Sequence, residues 1–522
     1  LVRSLVLCSD ATFVDGVGTG DPTEIALIVL GEKYGLSRDA THTKFKRISE
    51  NPFDSDRKLM STLNQEGERF RVHTKGAIDN LLKISSFVLI NGQVVPLTDE
   101  IKSNFLKVAE EMSNSALRVL GAAYKDTDKV IVPEEMEKDL TLIGLVGMID
   151  PPRLEVKASI DKAKLAGICP VMITGDHRNT AVAIAKELGI AQSIEQSISG
   201  AEIDQMSDEE FSSRINNYRV FARVSPEHKV KIVRAFKAQG NIVSMTGDGV
   251  NDAPSLKYAD IGVAMGITGT DVAKGASDMI LTDDNFTTIV HAIEEGRNIY
   301  NNIKKAVIFL LSCNLGEVIS IFLSILLNWP VPLIATQILW VNLITDSLPA
   351  ISLGIDPGDK DVMKQKPRNP RESFFAHGAA VRAITGGVLI GLLTLVAFYY
   401  GLYEHGYVLG AEMLPEDALE TALPYARTMA FVVLAASQLF YSLSMRSFSK
   451  PIIKVGFFSN LYLIGSIIVG ILLQLLVITV PFLANAFEVH NLSLREWGIV
   501  IAFSLVPLVV NEMFKIFMKE KN

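Results

Sequence analysis

Apolar and charged residues alternate in short runs up to about residue 295, and beyond that point long stretches are almost free of charge. Six such stretches, 304–327, 332–354, 379–400, 425–445, 459–482 and 495–516, each approach the ~20 residues that cross a bilayer core as a helix. One apolar helix of that length can be a buried element of a soluble protein, but six in series read as a membrane domain. The first half has a different rhythm. "MSTLNQEGERFRVHTKGA" holds two alternating stretches around Glu66-Gly67, the pattern of a β-hairpin, and helical patterns flank it. From about 140 to 290 short apolar strands alternate with helices: "LTLIGLVGMI", a helix over 155–165, "CPVMITGD", a helix from Thr180, "VFARV", a helix from Glu227, "NIVSMTGDG" and "IGVAMG". Repeated βαβ units predict a parallel sheet covered by helices, with ligands at the carboxyl ends of its strands.

At 522 residues the chain exceeds one ordinary core, and two or three domains are expected. Its apolar share of 48% is an average over two unlike halves. Lys304 and Lys305 precede the first apolar stretch, Lys364, Lys366, Arg368 and Arg371 follow the second, Arg446, Lys450 and Lys454 follow the fourth, and Lys515, Lys519 and Lys521 follow the sixth. The opposite loops are short ("NWPVP") or acidic ("EMLPEDALE"), so the excess of positive charge puts both ends and the polar half on the cytoplasmic side. A net charge of −8 without a basic patch points away from nucleic acid. Cys8, Cys169 and Cys313 are scattered, with neither a disulfide framework nor a CxxC pair. No leader precedes "LVRSLVLCSDATF", which reads as the middle of a domain.

Two polar clusters end apolar strands of the expected sheet: Thr174, Gly175 and Asp176, and the run Thr246–Asp252. Gly lets the backbone approach a phosphate, the Thr174 hydroxyl can donate to its oxygens, and Asp248 and Asp252, four apart, offer oxygen ligands to Mg²⁺. Lys229 opens the helix after "VSPEH" and can neutralise phosphate charge. Each feature alone is an ordinary turn or a solvated lysine; their arrangement at strand ends of one sheet points to phosphoryl chemistry.

These residues resemble the P-type cation-transporting ATPases, whose phosphorylation domain is haloacid-dehalogenase-like. The resemblance is carried by "DPPR" (150–153), "MITGD" (172–176), "VFARVSPEHK" (220–229) and "MTGDGVNDAPSLKYADIGVAMG" (245–266), and upstream by "GDPTEIAL" (20–27), "FDSDRKLMS" (53–61), "KGA" (75–77) and "ALRVL" (116–120). It implies a partial nucleotide-binding α+β lobe over 1–138, a parallel-sheet phosphorylation domain over 139–295 and a bundle of the last six transmembrane helices over 296–522. It also implies that Phe53 stacks on adenine and that Glu24, Lys58, Lys75, Arg118 and Arg223 meet ATP. Calcium pumps often have Arg where this chain has Ser55. The family carries its phosphate on the Asp of a "DKTGT" motif, which does not occur here, so the resemblance implies a C-terminal part whose N-terminal remainder supplies that Asp. Mg²⁺ would be held partly by Asp248, with Thr174, Gly175, Asp176 and Lys229 on the phosphoryl group and Asn251 and Asp252 supporting the loop.

Polar groups within apolar stretches are costly and are functional candidates by default. Asn314 and Glu317 lie in the first, and Asn342, Thr345 and Asp346 in the second; facing each other they would make an oxygen cage for a hard cation. Pro349 and Gly354 would loosen the second helix and free carbonyls. "SCNLGEV" and "WVNLITDSLPA" look most like sarco/endoplasmic-reticulum-type calcium pumps, where the fourth span adds a Glu; Gln438 stands at the corresponding place, as in plasma-membrane calcium pumps. The expectation is a calcium pump of compact, bacterial type in the cell membrane, inactive as a fragment. Sodium, potassium or manganese as cargo, and a membrane-anchored phosphatase, are the alternatives, and the intact Thr174, Lys229, Asp248 and Asp252 argue against a non-catalytic relative.

Overall fold

The computed structural model describes residues 1–54, 57–114, 117–149, 153–359, 361–409 and 417–517, in two compact units: Leu1–Lys164 with Cys169–Thr288, and Leu165–Ile168 with Ile289–Asn522. Ser55, Ala116, Asp150–Pro152, Lys519 and Lys521, named above, lie outside the described residues.

In the first unit a seven-stranded sheet runs in the order Arg47–Asp54, Leu59–Glu66, Arg69–Gly76, Arg118–Thr127, Leu140–Met148, Ser85–Ile90, Gln93–Pro96. The expected hairpin is present: Glu66 pairs with Arg69, and Gly67 takes the left-handed backbone (φ 70°) that its tight turn requires. One strand differs from expectation. "LTLIGLVGMI" does not open the parallel sheet; Leu140–Met148 pairs antiparallel with Arg118–Thr127 and parallel with Ser85–Ile90. A continuous apolar strand, with no polar alternation to mark its faces, carries no sign of which sheet receives it, and it reads like the first strand of a βαβ unit.

The remaining strands of this unit form two parallel three-stranded sheets, Met172–Thr174, Val220–Ala222, Ser197–Ser199 and Ser244–Gly247, Ile261–Met265, Met279–Leu281. Helices Leu154–Leu165, Arg178–Glu187 and Pro226–Ala238 lie where the periodicity predicts. Ile173 packs both against the cluster of Ile198, Phe221 and Ile232 and against that of Val233, Met245 and Leu256. The two sheets therefore share apolar contacts, and their polar strand ends are held in one body.

The second unit has five helices long and apolar enough to cross a membrane among the described residues: Phe286–Leu326, Ala379–Glu404, Ala418–Ser444, Leu461–Thr479 and Leu494–Phe517. The expected sixth, 332–354, is not one helix. It consists of Ala335–Trp340, a π-helical turn Val341–Thr345 and Ser347–Gly354. Pro349 has no N–H for the carbonyl of Thr345, and the Asp346 amide reaches back five residues to Val341 instead of four. Phe286–Leu326 and Ala379–Glu404 meet backbone to backbone. A Cβ on Gly387 would stand 2.9 Å from the Ser312 carbonyl oxygen, and one on Gly391 would stand 2.8 Å from that of Gly316.

Asp356 ties this unit together. Its carboxylate accepts from Arg446 (2.8 Å), Asn460 (2.8 Å) and Lys305 (3.2 Å), and its carbonyl accepts from Asn302 (2.7 Å). Asp356→Ala leaves the buried Arg446 and the half-buried Lys305 without their anion and is expected to cost about 3 to 5 kcal/mol. It should clearly lower the thermal midpoint of the detergent-solubilised protein, whereas Lys364→Ala, at the exposed pair with Asp361, should leave it unchanged; equal midpoints for both variants would contradict the role given to Asp356.

Candidate functional site

Ser225 caps the helix Pro226–Ala238, with Pro226 at its first position and His228 returning a bond to the cap, so the chain enters the helix at a fixed angle. Lys229 then falls in the first turn, where the helix dipole disfavours a cation. An anion offsets this: Lys229 Nζ lies 2.5 Å from Asp252 Oδ1. The other oxygen of Asp252 accepts from the backbone amides of Asp248 (3.2 Å) and Gly249 (3.0 Å). Burial pushes the Asp252 carboxyl up, but Lys229 and these amides outweigh it and hold the group below its usual range, so it is ionised. Only glycine fits at 247, since a Cβ there would stand 2.4 Å from the Asp252 Cβ.

The structure therefore divides the labour of the two acids. Asp252 is buried and engaged by Lys229 and the loop, while Asp248, with its carbonyl also accepting from Thr270, presents an exposed carboxylate at the strand end. Asn251 is exposed beside it. In the other loop Thr174 Oγ1 donates to Asp176 Oδ2 (2.9 Å) and accepts from the Asp176 amide (3.1 Å). The Arg223 amide, from a left-handed backbone (φ 49°), donates to the Asp176 carbonyl. Gly175 has open space where a Cβ would be. Asp284 is a residue that sequence reasoning missed. Despite desolvation its carboxyl is held at about 2 by the amides of Ile267, Thr268 and Gly266 and the Thr268 hydroxyl, and so it fixes the loop after Ile261–Met265.

In the seven-stranded sheet, Asp54, Leu59, Gly76 and Gly121 pair in a row across four strands. Phe53, Lys58, Lys75 and Arg118 therefore gather at one end of that sheet. Phe53 is 63% exposed, which removes core packing as its explanation, and Lys58 and Arg118 are exposed as well. Lys75 is buried and already paired, with Glu24 at 2.5 Å and Ser9 Oγ at 2.9 Å; Glu24 also accepts from the amides of Asp10 and Ala11.

In the second unit Glu317 and Asn342 meet at 2.8 Å. The two helical segments are consecutive in the chain and antiparallel, so one turn back from Glu317 (Cys313) opposes one turn on from Asn342 (Asp346). Cys313 faces Asp346 and Gln438 adjoins Glu317. Glu317 is 5% exposed, Asp346 1% and Gln438 0%, yet Glu317 Oε1, both oxygens of Asp346 and both polar atoms of Gln438 lack a well-formed hydrogen bond among the described residues. Thr345 is buried and returns its hydroxyl to the Val341 carbonyl (2.9 Å). Asn314 is not brought to this group; it lies on the exposed side of its helix. No three acidic, Cys or His side chains converge to a complete metal centre among the described residues, so the amides are needed as donors. Cys313 escaped sequence reasoning, although its spacing of four from Glu317 was the available signal.

Residues 1–155 match the family model described as P-type ATPase, cytoplasmic domain N, and 330–517 match that described as cation transporting ATPase, C-terminus. The chain is 56% identical over 521 residues to calcium-transporting ATPase 1 of Bacillus cereus, covering 99% of this chain and 59% of that protein. It is 44% identical over 492 residues to the calcium-transporting ATPase of Bacillus subtilis (94% and 54% covered) and 38% identical over 519 residues to human calcium-transporting ATPase type 2C member 1 (99% and 54%). The chain spans little more than half the length of these relatives.

Gly247→Ala is expected to displace Asp252 from the loop amides and from Lys229. Trypsin digestion of the full protein should cut after Lys229 and Lys257, on either side of the loop, faster in this variant, whereas Gly175→Ala, with open space at its Cβ, should digest as the wild type does; equal rates for all three would contradict the packing argument.

Proposed function

We propose that this chain, which belongs to the P-type ATPase family, is part of an ATP-driven cation pump whose cargo is calcium, cycling through an aspartyl-phosphate on the N-terminal remainder of the same pump. The observation that carries the reading is the buried, unsatisfied set Glu317, Asp346 and Gln438 between apolar helices. Two carboxylates and two amides are hard oxygen donors, the class that suits Ca²⁺, and burying them without a countercharge costs several kcal/mol per ion. The names of the relatives point the same way, as does the helix break at 341–346, where Pro349 leaves the Thr345 carbonyl without its helical donor beside Asp346.

Phosphoryl transfer belongs, in this reading, to the parallel-sheet loops, and nucleotide binding to the exposed end of the seven-stranded sheet. Asp248 fits Mg²⁺, because its backbone is tied to Asp252 and Thr270 while its carboxylate faces outward. When bound, Mg²⁺ neutralises phosphate charge. Thr174 Oγ1 and the open backbone at Gly175 donate to phosphoryl oxygens. Lys229, already positioned by Asp252, supplies a fixed positive charge at the same place. Phe53 stacks on the adenine ring, with Lys58, Arg118 and Arg223 toward the phosphates, and the Lys75–Glu24 pair stiffens the floor beneath. The positive loops support a multi-pass protein of the cell membrane with the polar unit in the cytoplasm.

A phosphatase on the same sheet would leave Glu317 and Asp346 without a role. Sodium, potassium and manganese separate by experiment. In inverted vesicles carrying the whole pump, ATP should drive uptake of radiolabelled calcium, and Glu317→Gln should reduce it at least about tenfold at equal protein level. Uptake untouched by the substitution, or following another of these cations and not calcium, would contradict the reading.

A further inference from the structure

The cage proposed above contains one group that a hard-cation site does not need. Cys313 is fully buried, shares a helix face with Glu317 at a spacing of four, and faces Asp346 across the helix pair. Asp346 is 1% exposed, and neither its two oxygens nor the polar atoms of the fully buried Gln438 make a well-formed hydrogen bond among the described residues, so the thiol lies against polar groups that protein donors do not saturate. In that position a serine hydroxyl would serve an oxygen-seeking cation as well or better, whereas sulfur is a soft donor.

We propose that Cys313 is a ligand of the transport cage and gives it affinity for thiophilic divalent cations, which bind between its sulfur and the Asp346 carboxylate in competition with calcium. This rests on the pump reading. Cysteine binds such a cation as thiolate, so occupancy releases the thiol proton to water, while the carboxylate and the Asn342 and Gln438 amides complete the shell with oxygen. No redox step is involved.

Cadmium is the probe, since it combines calcium's charge and similar size with a preference for sulfur. The whole pump is compared with Cys313→Ser and Cys313→Ala in vesicles with calcium held at each variant's own KM, and the cadmium concentration that halves calcium uptake is divided by that KM. The ratio should rise about tenfold or more in both variants. Calcium uptake that responds to Glu317→Gln while this ratio stays constant overturns the role of Cys313 and leaves the pump reading standing. A second readout is independent of transport. In purified full-length protein, the ultraviolet sulfur-to-cadmium charge-transfer band should be smaller in Cys313→Ser than in wild type, and identical bands overturn the inference even if the vesicles transport no calcium.

Discussion

The second unit depends on two buried carboxylates, Glu317 and Asp346, that its described residues satisfy only in part. Three of the four oxygens of Glu317 and Asp346 meet no well-formed donor among the described residues, although both side chains are almost wholly buried between apolar helices. Isolated buried charge is expensive, and a fold tolerates it where a countercharge arrives from outside. The surrounding features follow from that constraint. Close backbone contact at Gly316, Gly387 and Gly391 presses Phe286–Leu326 against its neighbour and fixes which face carries Glu317, and across the π-helical turn both Asn342 and Asp346 stay on the side toward that helix, one turn apart.

The buried charges elsewhere show what satisfaction looks like. Asp356 has Arg446, Lys305 and Asn460, and Asp252 has Lys229 and two amides. Both are locks. Asp252 is the more economical one: a single buried carboxylate sets the position of a cation on one helix and the shape of the loop that leaves Asp248 exposed. Among the described residues the buried acids thus differ in kind: Asp252 and Asp356 are paired with protein cations, while Glu317 and Asp346 have none.

Much of this was legible in the sequence, because the signals were local. Pro226 after Ser225, Gly67 in the hairpin and the apolar runs before "TGD" each act within a few residues, and the corresponding elements stand where expected. What was not legible depended on distant partners. Leu140–Met148 carries no mark of which sheet it joins, and although Pro349 signalled a loosened helix, the place of the break at 341–345 depends on the packing of neighbouring helices. At the site, Glu317 and Asn342 were readable from their cost in an apolar stretch. Cys313 was not, since a thiol is at home in any core and only the antiparallel pairing shows what it faces. Asn314 was expected with Glu317, but a spacing of three is wide enough for the two to diverge onto buried and exposed sides.

A calcium pump, as proposed, requires that a cation at Asp346 govern phosphoryl transfer at the loop of Asp248. The most direct test is phosphorylation of the whole protein from radiolabelled ATP, with and without calcium, in wild type and Asp346→Asn. Acid-stable label that appears in wild type only when calcium is present, and that Asp346→Asn fails to acquire, is the predicted result. Label that forms equally without calcium, or equally in the variant, would contradict it.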